Sequence, residues 1–188
     1  MSEKYEKIFL HDDGEDVESC WAEPASAVKN GRVLVRLANI PFLYPKPTYG
    51  DVIEVARDAQ YGGAYAWDRT GLPWSRIGER IHKDGRRYTG IVDYEMGSGA
   101  DFGALAHWLK SEHDIVAEGG FTPEDDRPGR LYLAIPDEVE LDDILDSMDA
   151  TFDGFTFSRV YPPSKKKRPT AKKKRAAKKK SSPKKKRR

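Results

Sequence analysis

The last 25 residues, from Ser164 to Arg188, hold sixteen Lys or Arg, no Asp or Glu and no large apolar side chain. Whatever this chain folds into must therefore be built from the 163 residues before them. Ordering a residue's backbone costs roughly 1–2 kcal/mol, and a Lys, Ala, Pro and Ser segment has too little apolar surface to offset that cost. The composition predicts a disordered tail over 164–188, extended by its own repulsion. It also divides the charge. The tail takes sixteen of the 33 basic residues, leaving seventeen against all 31 acidic ones, so the body carries −14 and the tail +16 beneath a formal total of +2.

A body of this length suffices for one ordinary domain or two small ones, and its tryptophans, tyrosines and phenylalanines can supply a core. No run of about 18 apolar residues occurs, so no membrane span is expected. The opening "MSEKYEKIFLHDDGEDVE" is acidic and lacks the basic-then-apolar order of a secretory signal. Cys20 is the single cysteine. That excludes an internal disulfide and a multi-cysteine zinc site, and fits a reducing, cytoplasmic compartment.

The first half reads as short strands separated by turns: "YEKIFLH", "SCWAEPA", "GRVLVRLANIPF" and, after the Pro-rich "YPKPTYG", "GDVIEVARD". That spacing, without a helical period, predicts a small barrel or curled sheet over 1–84, although "YGGAYAWDRTGLPWSRIGERIHKDG" is poorly patterned. Beyond it the period switches from 2 to 3.6 and back, twice. "RRYTGIVDYEM" is a strand, Phe102, Leu105, Ala106 and Leu109 share a helical face, and "IVAEGGF" is a strand. "RLYLAIP" follows, then Leu141, Ile144, Leu145 and Met148 at helical spacing, then "DGFTFSRVY". The order β-α-β-β-α-β predicts a ferredoxin-like subdomain over 85–163, with helices near 100–111 and 140–150. The chain as a whole is thus expected to be α+β: a barrel-like half, a ferredoxin-like half and the disordered tail. Glu140, Asp142 and Asp143 sit where the second helix begins and read as helix-start residues favoured by the dipole, ahead of a ligand site.

Trp21-Ala22, Asn39-Ile40-Pro41-Phe42 and Gly50-Asp51-Val52-Ile53, followed by the β-α-β-β-α-β half, resemble the uncharacterised bacterial family called domain of unknown function 4265. The resemblance spans about residues 5–163 and implies a fold without a mechanism. In physical terms "NIPF" is a strand end: Asn39 suits a turn, Ile40 and Phe42 can pack, and Pro41 stops the ladder.

No residue set reads as catalytic or metal-binding, and no cofactor is implied. His11 with Asp12 and Asp13 offers one imidazole and two carboxylates, but neighbours along a strand face opposite ways. His107 and His113 are six apart and share no helix face. Cys20 beside Trp21 reads as a small buried hydrophobe. No GxGxxG following a strand, GxxxxGK[ST], GxSxG or HExxH occurs. In an RNA-recognition module, bases stack on sheet aromatics. Here Arg130 and Tyr132, with Tyr88, Tyr94, Phe155 and Phe157, are the comparable residues; packing against the N-terminal half accounts for them, and the acidic body would repel phosphate.

The tail is the part that names a partner. Its basic residues fall in four blocks: Lys165, Lys166, Lys167 and Arg168; Lys172, Lys173, Lys174 and Arg175; Lys178, Lys179 and Lys180; Lys184, Lys185, Lys186, Arg187 and Arg188. The Lys/Ala/Pro/Ser composition resembles the C-terminal tails of linker histones and of several bacterial DNA-binding proteins. With no aromatic or amide group to read base edges, contact with DNA or RNA should be nonspecific and driven by counterion release. One block would suffice as a targeting signal, and a membrane surface would hold the run only weakly without a lipid anchor. The sequence thus describes a non-enzymatic protein whose acidic body is tethered to nucleic acid, in the cytoplasm and at the nucleoid, with no oligomeric state specified. The alternative is an interaction or inhibitor module whose body binds a basic protein partner, the tail serving targeting or solubility.

Overall fold

The computed structural model describes residues 5–11, 17–27, 31–43, 45–68, 70, 78–121 and 127–163. Six strands make the first sheet: β1 Glu6–His11, β2 Val17–Ala27, β3 Arg32–Leu37, β4 Val52–Asp58, β5 Ala64–Asp68 and β6 Ile81–Lys83. Consecutive strands β1 to β5 pair antiparallel, and β5 returns parallel to β1, with Ile8 opposite Tyr65. That last pairing closes a five-stranded barrel, and β6 adds to β4 outside it. Alternation decides what fills it: Ile8 and Leu10 point in and are buried, while Lys7 and Phe9 point out. Val35, Leu37, Ile53, Val55 and Trp67 complete the interior. Pro24 is accommodated in β2 at a register shift between Pro24 and Ser26, where the ladder is already interrupted.

The second sheet comprises β7 Arg87–Met96, β8 Val116–Phe121, β9 Gly129–Pro136 and β10 Phe155–Tyr161 in the order β10-β7-β9-β8, every pair antiparallel. Helices α1 (Phe102–His113) and α2 (Leu141–Thr151) lie on one face, where Leu105, Leu109, Leu141, Ile144 and Met148 pack on Val92, Leu131, Leu133 and Ile135. At Gly90 the sheet admits α2 closely: a Cβ there would stand 2.6 Å from Ile135 Cδ1 and 3.3 Å from a Leu141 methyl. Among the described residues no helix is long and apolar enough to cross a membrane.

The expected α+β class is overturned. Strands make up 50% of the described residues, against two α-helices, and the first half is a closed five-stranded barrel accompanied by a second sheet, so the fold is mostly β. The physical reason is one of proportion. The helical periods at Leu105 and Ile144 are genuine, but they mark helices of 12 and 11 residues laid over one of two sheets. Barrel closure depends on β1 meeting β5 nearly sixty residues later, a long-range pairing that local alternation does not encode.

Candidate functional site

The two sheets meet at the segment that links β3 to β4. Ile40, Phe42 and Tyr49 cover the sheet face opposite the helices and pack on Ile91, Val116, Tyr132 and Ala134. Phe42 stacks on Tyr132 with ring centroids 4.4 Å apart, leaving Tyr132 only 7% exposed. The aromatics considered above as a base-stacking surface therefore divide between two faces. Tyr132 lies under the linking segment and Arg130 is held by Asp93, whereas Tyr88, Tyr94, Phe155 and Phe157 pack beneath the helices.

Polar side chains pin this joint. Glu18 accepts from the backbone N–H groups of Phe42 (2.6 Å) and Leu43 (2.9 Å), Glu118 accepts from Ile40 N–H (3.0 Å), and Asn39 Oδ1 from Trp21 N–H (2.7 Å). Asp51, fully buried, accepts from Thr48 and Gly85 N–H at 2.8 and 2.7 Å. Gly85 is required there, because a Cβ would sit 2.8 Å from the Gly50 carbonyl carbon. Burial pushes the carboxyls of Glu18, Glu118 and Asp51 above their ordinary range despite these donors, and burial, with Glu18 beside it, also raises the Cys20 thiol. Cys20 is thus a buried thiol facing negative charge, the opposite of an activated nucleophile.

Next to the joint, where β10 ends, a cleft of about 430 Å³ opens between Pro45, Lys46, Tyr88, Asp137, Glu140 and Arg159, with Tyr161, Pro162 and Pro163 along its wall. Its two cations are already engaged. Lys46 Nζ lies 3.3 Å from Asp51 and 3.2 Å from Asp84, and Arg159 Nη1 lies 3.0 Å from Asp142 Oδ1 in the first turn of α2. Tyr88 Oη donates to the Val139 carbonyl at 2.7 Å. Arg159 is nine-tenths buried, and its Nε has no hydrogen-bond partner. The cleft thus combines engaged cations and a buried Arg159 with an acidic rim at Asp137 and Glu140. Such an acidic rim suits positive side chains.

A second groove, about 520 Å³, runs outside the barrel past His11, Asp58, Asp68, Arg80 and His82. His11 Nδ1 is 3.7 Å from Asp68 and Nε2 is 3.9 Å from Asp58, so the carboxylates face opposite ring nitrogens and cannot share one ion with the imidazole. Among the described residues no group of three or more His, Cys, Asp or Glu could hold a metal.

The sixteen basic residues read as nucleic-acid contacts, from Lys165 to Arg188, lie outside the described residues, as do Asp12 and Asp13. His107 is exposed on α1, and His113 packs edge-on against Trp108. Sequence reasoning missed the cleft as a site, although it singled out two of its residues, Tyr88 and Glu140, for other roles. The cleft residues come from positions 45, 88, 137–140 and 159–163, and only the β7-β10 pairing and the turn before α2 bring them together. The one available signal was Arg159, the lone cation in a strand alternating with apolar residues.

These observations define a mostly β protein, a closed barrel joined to a helix-covered sheet, with a cleft where the described chain ends. No protein-family model matches the chain, and no curated protein matches it. A solved structure described as a hypothetical protein from Neisseria gonorrhoeae aligns over 82% of this chain and 93% of its own, at 12% identity and a TM-score of 0.41. A likeness of that size supports no argument.

Proposed function

We propose that the protein is a non-enzymatic nucleic-acid-associated protein. Its Lys-rich tail holds DNA or RNA without sequence preference and its acidic body is the part so carried. One observation supports this reading: all sixteen charges of residues 164–188 are positive, whereas the preceding 163 residues sum to −14. A polycation of that length displaces counterions from a phosphate backbone, and a body of the opposite sign would not compete for the same surface.

The test is a binding titration of the full chain on two unrelated duplexes at several salt concentrations. If six to ten phosphates are neutralised, affinity falls by roughly 10³–10⁵ between 50 and 200 mM salt. Replacing Lys172, Lys173, Lys178 and Lys179 by Ala should weaken binding and flatten the salt slope. Trp21→Ala, at a side chain 53% exposed on the barrel wall, should change neither. A strong preference for one duplex would show that the body reads bases, and an unaltered slope in the lysine variant would remove the tail from the contact.

A further inference from the structure

The tail leaves the body beside its most acidic element. Between residues 137 and 153 there are eight Asp or Glu and no Lys, Arg or His, and all eight are exposed. Asp142 is held by Arg159, whereas Asp143, Asp146, Asp149 and Asp153 have no ion-pair partner among the described residues. On a helix, like charges three or four apart repel, and negative charge in the last turn opposes the dipole. α2 has this arrangement without any basic residue in its last turn. The cleft at its N-terminal end is walled by Tyr161, Pro162 and Pro163, the last described residues, and is rimmed by Asp137 and Glu140.

We infer that this cleft and the exposed face of α2 form a docking surface for a Lys-rich peptide, and that the occupant is the chain's own segment 164–188. The segment passes the cleft as it leaves Pro163, and the basic blocks then run along the carboxylates of α2. Reach is sufficient: an 11-residue helix is about 16 Å long, and a 25-residue coil spans roughly 25–30 Å. The contact is between exposed charges, so it weakens as salt shortens the screening length to about 8 Å at physiological strength. Docking itself stands apart from the nucleic-acid reading. Its consequence rests on that reading: α2 and phosphate compete for the same lysines.

Carbodiimide crosslinking of the full chain at low salt, read by mass spectrometry on a mixture of isotope-labelled and unlabelled protein, tests the docking. The expected result is same-isotope crosslinks from tail lysines concentrated on Asp146, Asp149 and Asp153 and lost in 0.5 M salt. Crosslinks spread evenly over Glu6, Glu95 and Glu112 as well, or crosslinks mainly between labelled and unlabelled molecules, overturn it.

For the competition, D146N/D149N/D153N should tighten duplex DNA binding about tenfold at low salt. That factor follows from an effective concentration on the order of 1 mM against a contact of about 0.1 mM affinity. E6Q/E95Q/E112Q, which removes equal charge elsewhere, should change it less than about twofold. Equal tightening by both triples overturns site-specific docking. Concentrated crosslinks in a protein that fails to bind DNA would leave the docking standing and end the tether reading.

Discussion

The two helices cover the same sheet face and bury similar apolar stripes, yet their polar chemistry differs at both ends. α1 begins at Asp101, whose carboxylate accepts from Ala104 N–H at 3.1 Å. It ends with Lys110 and His113 in its last turn, and the Ile115 N–H closes back on the Leu109 carbonyl at 2.9 Å. Asp114, in the left-handed region at φ 53°, is bonded by both Lys110 and Arg87. α2 begins at Glu140 with no side-chain cap bond and ends without a basic residue. One helix is completed by its own sequence. The other is held by packing and leaves its charge open to something else.

If packing is what the helices share, truncation should not distinguish them. Leu109→Ala and Ile144→Ala should each cost about 2–5 kcal/mol in urea unfolding, since both side chains are buried in one cluster. A markedly cheaper Ile144→Ala would break the comparison by showing that α2 is loosely seated. Capping should separate the two. Asp101→Ala should cost about 1 kcal/mol by removing a bond to a helix N–H, a capping loss with no counterpart at Glu140, whose side chain caps no N–H of α2. Smaller again is the charge effect at the open end of α2. Asp149→Lys should stabilise by about 0.3–1 kcal/mol at low salt, by turning a dipole-opposing charge into a favourable one. Loss of that gain at high salt would sharpen the assignment to electrostatics, and a destabilised variant would refute it.

What could be read from the sequence follows from the range of each signal. Phe102, Leu105 and Leu109, and Leu141, Ile144 and Met148, locate both helices to within two residues, because a helical face is written in a dozen neighbouring positions. Ile8 and Leu10 likewise reveal a half-buried strand. The class was misjudged because two clear helices outweighed the ten strands of the described residues; the barrel over the first half was expected, but not the parallel return of β5 onto β1 that closes it. The motif residues proved to be scaffold: Asn39, Ile40, Phe42 and Asp51 fix the joint between sheets. The reading of the tail rests on composition alone, because residues 164–188 lie outside the described residues. The cleft was not legible, since Arg159 acquires meaning only when Asp142, Asp137 and Pro163 surround it.

The smallest predicted effect concerns acid and the completed end of α1. The Lys110 hydrogen bond holds the Asp114 carboxyl below its usual range, opposed by slight burial and assisted by the Arg87 guanidinium. A carboxyl whose folded pKa is depressed binds fewer protons in the native state. Its stabilisation is therefore full above the unfolded value of about 3.9 and is lost as pH falls through the lower folded value. Glu18, Glu118 and Asp51 act in the opposite sense. Burial raises them, so the native state binds more protons, and stability declines as pH rises from the ordinary carboxylate range through their folded values. The two windows do not overlap. Lys110→Ala should lessen the loss of stability below about pH 4 while leaving the slope above it unchanged. The Asp114 side chain is 61% exposed, and solvent screening keeps the gain to a few tenths of a kcal/mol. Glu118→Gln keeps an acceptor for Ile40 N–H and removes a buried charge, so it should flatten the upper slope alone. Urea unfolding of the two variants between pH 3 and 8 separates the contributions. A Lys110→Ala profile parallel to the unmodified chain throughout would mean that the ion pair at the end of α1 contributes nothing.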